Sequence, residues 1–180
     1  MKRLTLLRHA KSGYGDRDQR DFDRVLNARG ERAAIAIGRH LRARGDRFDR
    51  VVASDAARVA QTVALVERGY GQPLGTVWER RIYLASATQL LELIQAQADD
   101  AATLMLAGHN PGLEDLVLTL VPDDPADTLR AAVYDKLPTG SLATLEFEID
   151  HWRDARTARL AAFTRPRDID PELGPDPDDD

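Results

Sequence analysis

Leu4-Thr5-Leu6-Leu7-Arg8-His9-Ala10-Lys11-Ser12 is the stretch whose reading decides the fold. Leu4 to Leu7 have strand character, and they run straight into an Arg-His pair and a short polar turn. Strand ends of α/β sheets are where such proteins build their sites, so a cation and an imidazole placed there point to a pocket. A second segment repeats the design: Thr103-Leu104-Met105-Leu106-Ala107 leads into Gly108-His109-Asn110-Pro111-Gly112. Two strands that end in histidine imply one shared pocket.

Outward from these strands, strand and helix patterns alternate, which predicts an α/β sandwich. After a first strand over about residues 3–8, residues 13–27 read as a long loop anchored by Phe22, Val25 and Leu26. Ala33, Ala34, Ile37 and Leu41 fall at helical spacing within 29–44, and Gly45 supplies the stop. A short strand at 49–53 precedes a helix over 56–68, with Ser54 and Asp55 as N-cap candidates and Gly69, Gly71 and Pro73 as breakers. A third strand is expected at 76–78, helices at 87–98 and 113–120, and the fourth strand at 103–107. Residues 122–127 form a loop, and strands 141–149 and 158–163 close the chain as a hairpin. The expected fold is one α/β domain with a mostly parallel central sheet flanked by helices.

Composition narrows the function classes. At 180 residues and 43% hydrophobic content the chain can fill one core. With no cysteine, disulfides and thiolate metal sites are excluded. The N-terminus lacks a secretory pattern and no run reaches a membrane span, so the expected location is cytoplasmic. From Arg167 onward seven acids face one base, a local charge of −6, so the net −5 leaves about +1 for the rest. With prolines interleaved, 167–180 reads as an acidic, solvated tail behind a domain over 1–166. No basic run interleaved with aromatics suggests nucleic-acid binding.

Arg8, His9, Arg58 and His109 each follow a strand closely or sit in the first turn of the next helix, positions that converge at the carboxyl edge of a parallel sheet. Two guanidiniums, two imidazoles and a helix N-terminus make a cradle for a phosphoryl dianion. A neutral histidine inside it can attack phosphorus in line, while the other groups stabilise the equatorial oxygens. Flanking arginines would repel a divalent cation, so no metal site and no cofactor is expected. Tyr83 reads as a core or rim aromatic, and His40 and His151 as bystanders.

Leu7-Arg8-His9-Ala10-Lys11-Ser12 resembles the signature of the histidine phosphatase (phosphoglycerate mutase-like) superfamily, in the form typical of its small SixA-type phosphohistidine phosphatases. Asp23-Arg24-Val25-Leu26-Asn27-Ala28-Arg29-Gly30, the Ser54-x-x-x-Arg58-x-x-Gln61-Thr62 element, Ile82-Tyr83-Leu84-Ala85-Ser86, Gly108-His109-Asn110-Pro111-Gly112 and Pro138-Thr139-Gly140-Ser141 are similar in order and spacing. The resemblance spans roughly residues 3–148 and implies a three-layer α/β/α fold. It implies that His9 accepts the phosphoryl group and that Arg8, Arg58 and His109 bind phosphate. Ser12 would bind phosphate or hold the turn, and Asn110 would orient His109 or line the pocket.

The glutamate general acid of the larger family members has no counterpart in an inserted segment here. Glu79 is the nearest acid but abuts Arg80 and Arg81, while Asp16 and Asp21 are loop acids that could substitute. A P–N bond to a protonated imidazole needs less help to break than an alkoxide, for which acid catalysis is worth roughly 10²–10⁴-fold. The expectation is therefore a phosphohistidine phosphatase acting on a phosphorylated protein. The alternatives are a small-molecule phosphomonoesterase and a non-catalytic module that binds phosphorylated partners. The oligomeric state is not readable from the sequence.

Overall fold

In the computed structural model, which describes residues 1–13 and 18–174, one six-stranded sheet organises the chain. The strands are β1 (Lys2–Arg8), β2 (Arg50–Ala53), β3 (Val77–Trp78), β4 (Thr103–Gly108), β5 (Leu142–Phe147) and β6 (Arg159–Thr164). Their spatial order is β3-β2-β4-β1-β5-β6. The first four run parallel, and β5 and β6 join antiparallel at the β1 side. The helices are α1 (Ala28–Arg44), α2 (Ala57–Tyr70), α3 (Ala87–Gln95), α4 (Gly112–Leu120), α5 (Thr128–Asp135) and α6 (Pro166–Ile169).

The strands' period of two divides the core between two layers of helices. Leu4, Leu6, Val52, Leu104 and Leu106 point to one face, where Leu90, Ile94, Leu113 and Val117 of α3 and α4 cover them. Leu7, Val51, Ala53, Met105 and Ala107 point to the other, against Ile37, Leu41, Val59 and Val63 of α1 and α2. The result is the three-layer α/β/α sandwich expected from the sequence. Gly45 ends α1 in the left-handed region at φ 70°, also as expected.

Four local expectations need correction. Gly69 does not break α2: a Cβ there would lie 2.1 Å from the Ile35 carbonyl oxygen, and one on Gly38 would lie 2.1 Å from that of Val66. These two glycines bring α1 and α2 into backbone contact, and the helix ends at Gly71 instead, with φ 89°. Neither Ser54 nor Asp55 caps α2, whose N-cap is Ala56; the Ser54 hydroxyl is turned toward the site. The Val25 side chain is exposed and is not an apolar anchor, though its carbonyl accepts from the Gly13 N–H at 3.1 Å. A fifth helix, α5, was not foreseen, because only Val133 of its residues is buried and its apolar pattern is weak.

The tail expected over 167–180 divides. Its first part folds as α6 and a 3-10 turn over Pro171–Leu173, with Leu173 buried and its carbonyl accepting from Arg29. The four aspartates from Asp176 onward lie outside the described residues.

Candidate active site

β1, β2 and β4 all deliver their C-terminal ends to the same edge, where the four candidate side chains meet. β1 ends at Arg8 and passes directly to His9, whose N–H continues the ladder to the Gly108 carbonyl at 3.1 Å. The Gly140 N–H closes on the carbonyl oxygens of Arg8 and His9, so the turn before β5 clamps the Arg-His pair from the other side. The His9 ring is buried, and its Nδ1 lies 2.8 Å from the Ala10 carbonyl oxygen. That contact holds the proton on Nδ1 and leaves the lone pair on Nε2. Burial pushes the imidazole down to about 3, the Ala10 carbonyl opposes this, and His109, Arg58 and Arg8 lower it further. At neutral pH His9 is therefore an uncharged base with its free nitrogen directed at Arg58.

Arg58 approaches from the first turn of α2, and its Nε donates to His9 Nε2 at 3.3 Å. The spacing of the Ser54-x-x-x-Arg58-x-x-Gln61-Thr62 element has a direct physical meaning. Thr62, one helical turn beyond Arg58, donates to the Arg58 carbonyl at 2.6 Å and accepts from the Ala10 N–H at 3.0 Å. A single hydroxyl thus sets the height of α2 against the turn that carries His9. Gln61 accepts from the Leu26 N–H at 2.8 Å and pins the end of the preceding loop. Asn27 caps α1 through the Gly30 N–H, and Gly30 packs so close to the Lys11 carbonyl that a Cβ would overlap it.

His109 follows β4, with its ring 5.4 Å from that of His9 between centroids. Ser54 accepts from the Ala56 N–H at 3.3 Å, and its hydroxyl lies 2.9 Å from His109 Nε2. With the hydroxyl donating to Nε2, the ring proton stands on Nδ1, which is buried and has no partner among the described residues. Burial and then Arg58 lower this histidine to about 4, so it too is neutral and presents an N–H. Arg8 is close enough to act on both histidines. Its Nη1 donates to the Leu137 carbonyl at 2.6 Å, and its buried Nε has no partner among the described residues. Two buried donors without acceptors, beside a neutral imidazole and a second arginine, suit an incoming phosphoryl group.

The two remaining candidates are engaged elsewhere. Ser12 Oγ accepts from Arg24 at 2.6 Å, which ties the signature turn to the loop. Asn110 Nδ2 donates to Glu114 at 3.1 Å and to the Leu137 carbonyl at 3.2 Å, so it braces the segment that holds Arg8. Its Oδ1 is buried without a partner among the described residues. Glu79 caps a 3-10 turn and pairs with Arg81 at 2.8 Å, so it is committed there.

Asp21, considered from the sequence only as a loop acid, and Tyr83, read as a core or rim aromatic, join the site. Asp21 lies in a 3-10 turn, Asp21–Asp23, where its carbonyl accepts from Arg58 Nη1 at 2.6 Å and its Oδ2 from Nη2 at 3.0 Å. The Tyr83 hydroxyl donates to the same Oδ2 at 2.7 Å, and its ring stands edge-on to His109, 5.3 Å away. Tyr83 above all, then Arg58 and Arg24, hold the Asp21 carboxyl down to about 2, so it is ionised at neutral pH. The other loop acid, Asp16, lies outside the described residues. Among the described residues no group of three or more histidines and acids is placed to hold a metal ion, and no helix is long and apolar enough to cross a membrane.

Comparison with known proteins places this geometry. The profile of the histidine phosphatase superfamily (branch 1) matches residues 4–80. An uncharacterized protein of Mycobacterium tuberculosis strain H37Rv is 35% identical over 164 residues, which cover 89% of this chain and all of that protein. Among solved structures, a protein from Agrobacterium tumefaciens assigned as the phosphohistidine phosphatase SixA is 34% identical with a TM-score of 0.76, covering 92% of this chain and 98% of that one. A protein from Nakamurella multipartitia with the same assignment is 29% identical with a TM-score of 0.80, covering 92% and 96%. Strand-end histidines, a shared fold and identity along nearly the whole length converge on one conclusion: this chain belongs to the histidine phosphatase superfamily, in its SixA-type branch, and is a phosphatase.

Proposed function

We propose that the chain hydrolyses phosphohistidine on a phosphorylated protein, through a covalent intermediate on His9 and without a metal ion. The observation that carries this reading is the neutral His9 Nε2, set against Arg58 and flanked by the unpartnered donors Arg8 Nε and His109 Nδ1. In the first step Nε2 bonds to phosphorus as the substrate P–N bond breaks, and the electron pair departs with the substrate imidazole. A proton on the distal ring nitrogen makes that leaving group neutral, so no acid is needed at the breaking bond. In the second step water attacks phospho-His9, the N–P bond breaks, and both water protons leave on dihydrogen phosphate. Arg8, Arg58 and His109 hold the equatorial oxygens throughout. The ionised Asp21 supports the choice of substrate, because a carboxylate held at about 2 is a poor proton donor to an alkoxide.

The test is turnover of a phosphohistidine peptide, p-nitrophenyl phosphate and a sugar phosphate, with His9→Ala in parallel. Preference for the peptide, lost in the variant while vanadate still binds, is the expected result. Preference for the sugar phosphate would make the protein a small-molecule phosphomonoesterase. Activity surviving in His9→Ala would remove the covalent step.

A further inference from the structure

We propose that Asp21 is the residue that makes this cradle select its leaving group, favouring a phosphoryl group carried on a protonated nitrogen ring over a phosphomonoester. The proposal rests on the phosphohistidine reading above and names the group that enforces it. In-line attack places the leaving group on the side of phosphorus away from His9. Arg58 separates His9 from Asp21: its Nε touches the nucleophile and its two terminal nitrogens touch Asp21. The Arg58 side chain is 5% exposed and that of Asp21 45%, so the carboxylate stands on the open, outer side of Arg58.

The surroundings of Asp21 suit a cationic ring. Phe22 and Tyr83 meet edge to face at 5.0 Å beside it, and the Arg80 guanidinium rests over the Phe22 ring at 3.7 Å, so this rim already takes a planar cation whose place a substrate ring would assume. Oδ2 is taken by Arg58 and Tyr83, and among the described residues Oδ1 accepts only from Arg24, at 3.0 Å, which leaves a lone pair for a further N–H. The chemistry of the reaction also asks for such an acceptor. His9 takes the phosphoryl group while its own distal N–H is held by the Ala10 carbonyl. Transfer between two imidazoles is chemically symmetric, and the substrate ring leaves neutral only if its distal nitrogen keeps its proton; an ionised Asp21 accepting from that N–H holds the proton there. A monoester meets the opposite effect, since negative charge builds on its leaving oxygen beside that carboxylate.

The experiment compares wild type with Asp21→Asn, which keeps the side chain's shape, on a phosphohistidine peptide and on p-nitrophenyl phosphate. The expected result is a split: kcat/KM falls about tenfold or more for the peptide, rises for p-nitrophenyl phosphate, and inhibition by inorganic phosphate tightens. Tyr83→Phe, which removes a hydrogen bond to Oδ2 and keeps the ring, should shift the ratio of the two substrates in the same direction by less. A parallel fall on both substrates would mean Asp21 only holds Arg58 in place, and a parallel rise would mean it only competes for Arg58. Either overturns the proposal while leaving the phosphohistidine reading intact. A wild-type enzyme that turns over p-nitrophenyl phosphate but not the peptide would overturn the reading itself, and this proposal with it.

Discussion

β1 carries a cation at each end, and the two ends treat it differently. At the start Lys2 is buried, with Nζ donating to the Asp99 carbonyl and, at 3.0 Å, to that of Ala101. It also faces the Trp152 ring at 5.7 Å, and the Trp152 Nε1–H donates to the Ala101 carbonyl at 2.8 Å. Asp99 in turn accepts from the Trp152 N–H and pairs with His151. At the finish, Arg8 Nε and His109 Nδ1 are buried donors without acceptors among the described residues. Leaving a buried donor unpaired costs free energy, so a fold that does so twice at one edge, and satisfies its cation at the other, keeps that edge ready for a ligand. At the start of β1 the buried cation is satisfied; at its finish the unpaired donors gather beside His9.

The sharpest way to break this comparison is at the finish of the strand. Arg58→Ala should lower kcat/KM by about 10²–10³-fold, the loss found when a transition-state donor is removed, while the urea midpoint stays close to wild type. A rate near wild type would mean Arg58 serves only to hold Asp21.

The next effect is smaller and depends on pH. His9 and His109 titrate at about 3 and about 4 in the folded protein, below the ordinary histidine value of 6.5. Between those limits the unfolded chain binds more protons, so stability is complete above about pH 6.5 and drains away as pH falls toward 4. The loss should be on the order of 2 kcal/mol per histidine by pH 4.5, read from urea midpoints, and His9→Gln should remove one histidine's share. A flat profile over that window would place both rings in solvent.

The smallest effect belongs to the other end. Lys2→Ala removes two hydrogen bonds, leaving the Ala101 carbonyl to Trp152 alone, and should cost about 1–2 kcal/mol of stability, with kcat and KM unchanged. Loss of activity without loss of stability would erase the distinction between the two ends.

What the sequence disclosed follows from how local each signal is. Arg8, His9 and His109 are legible because a strand pattern that ends in a charged or ring side chain is contained within a few residues, and parallel strands bring such ends together. Arg58 is legible from its place one turn into a helix. The part played by Ser54 is not, since its hydroxyl looks like a helix cap until β4 brings His109 beside it. Asp21 and Tyr83 are 62 positions apart and meet only because the loop before α1 folds back over α2, which no periodicity encodes. Gly69 was misread for a similar reason: in sequence it is a breaker, whereas in space it faces Gly38 across a helix pair.

The most direct test of the account is to mix the enzyme with excess ³²P-labelled phosphohistidine peptide, quench within the first turnover and locate the label on the protein. The expected result is an alkali-stable, acid-labile phosphoryl group on His9, absent from His9→Ala and discharged as free phosphate when the quench is delayed. Steady turnover with no labelled enzyme, or label on a residue other than His9, would contradict the covalent mechanism.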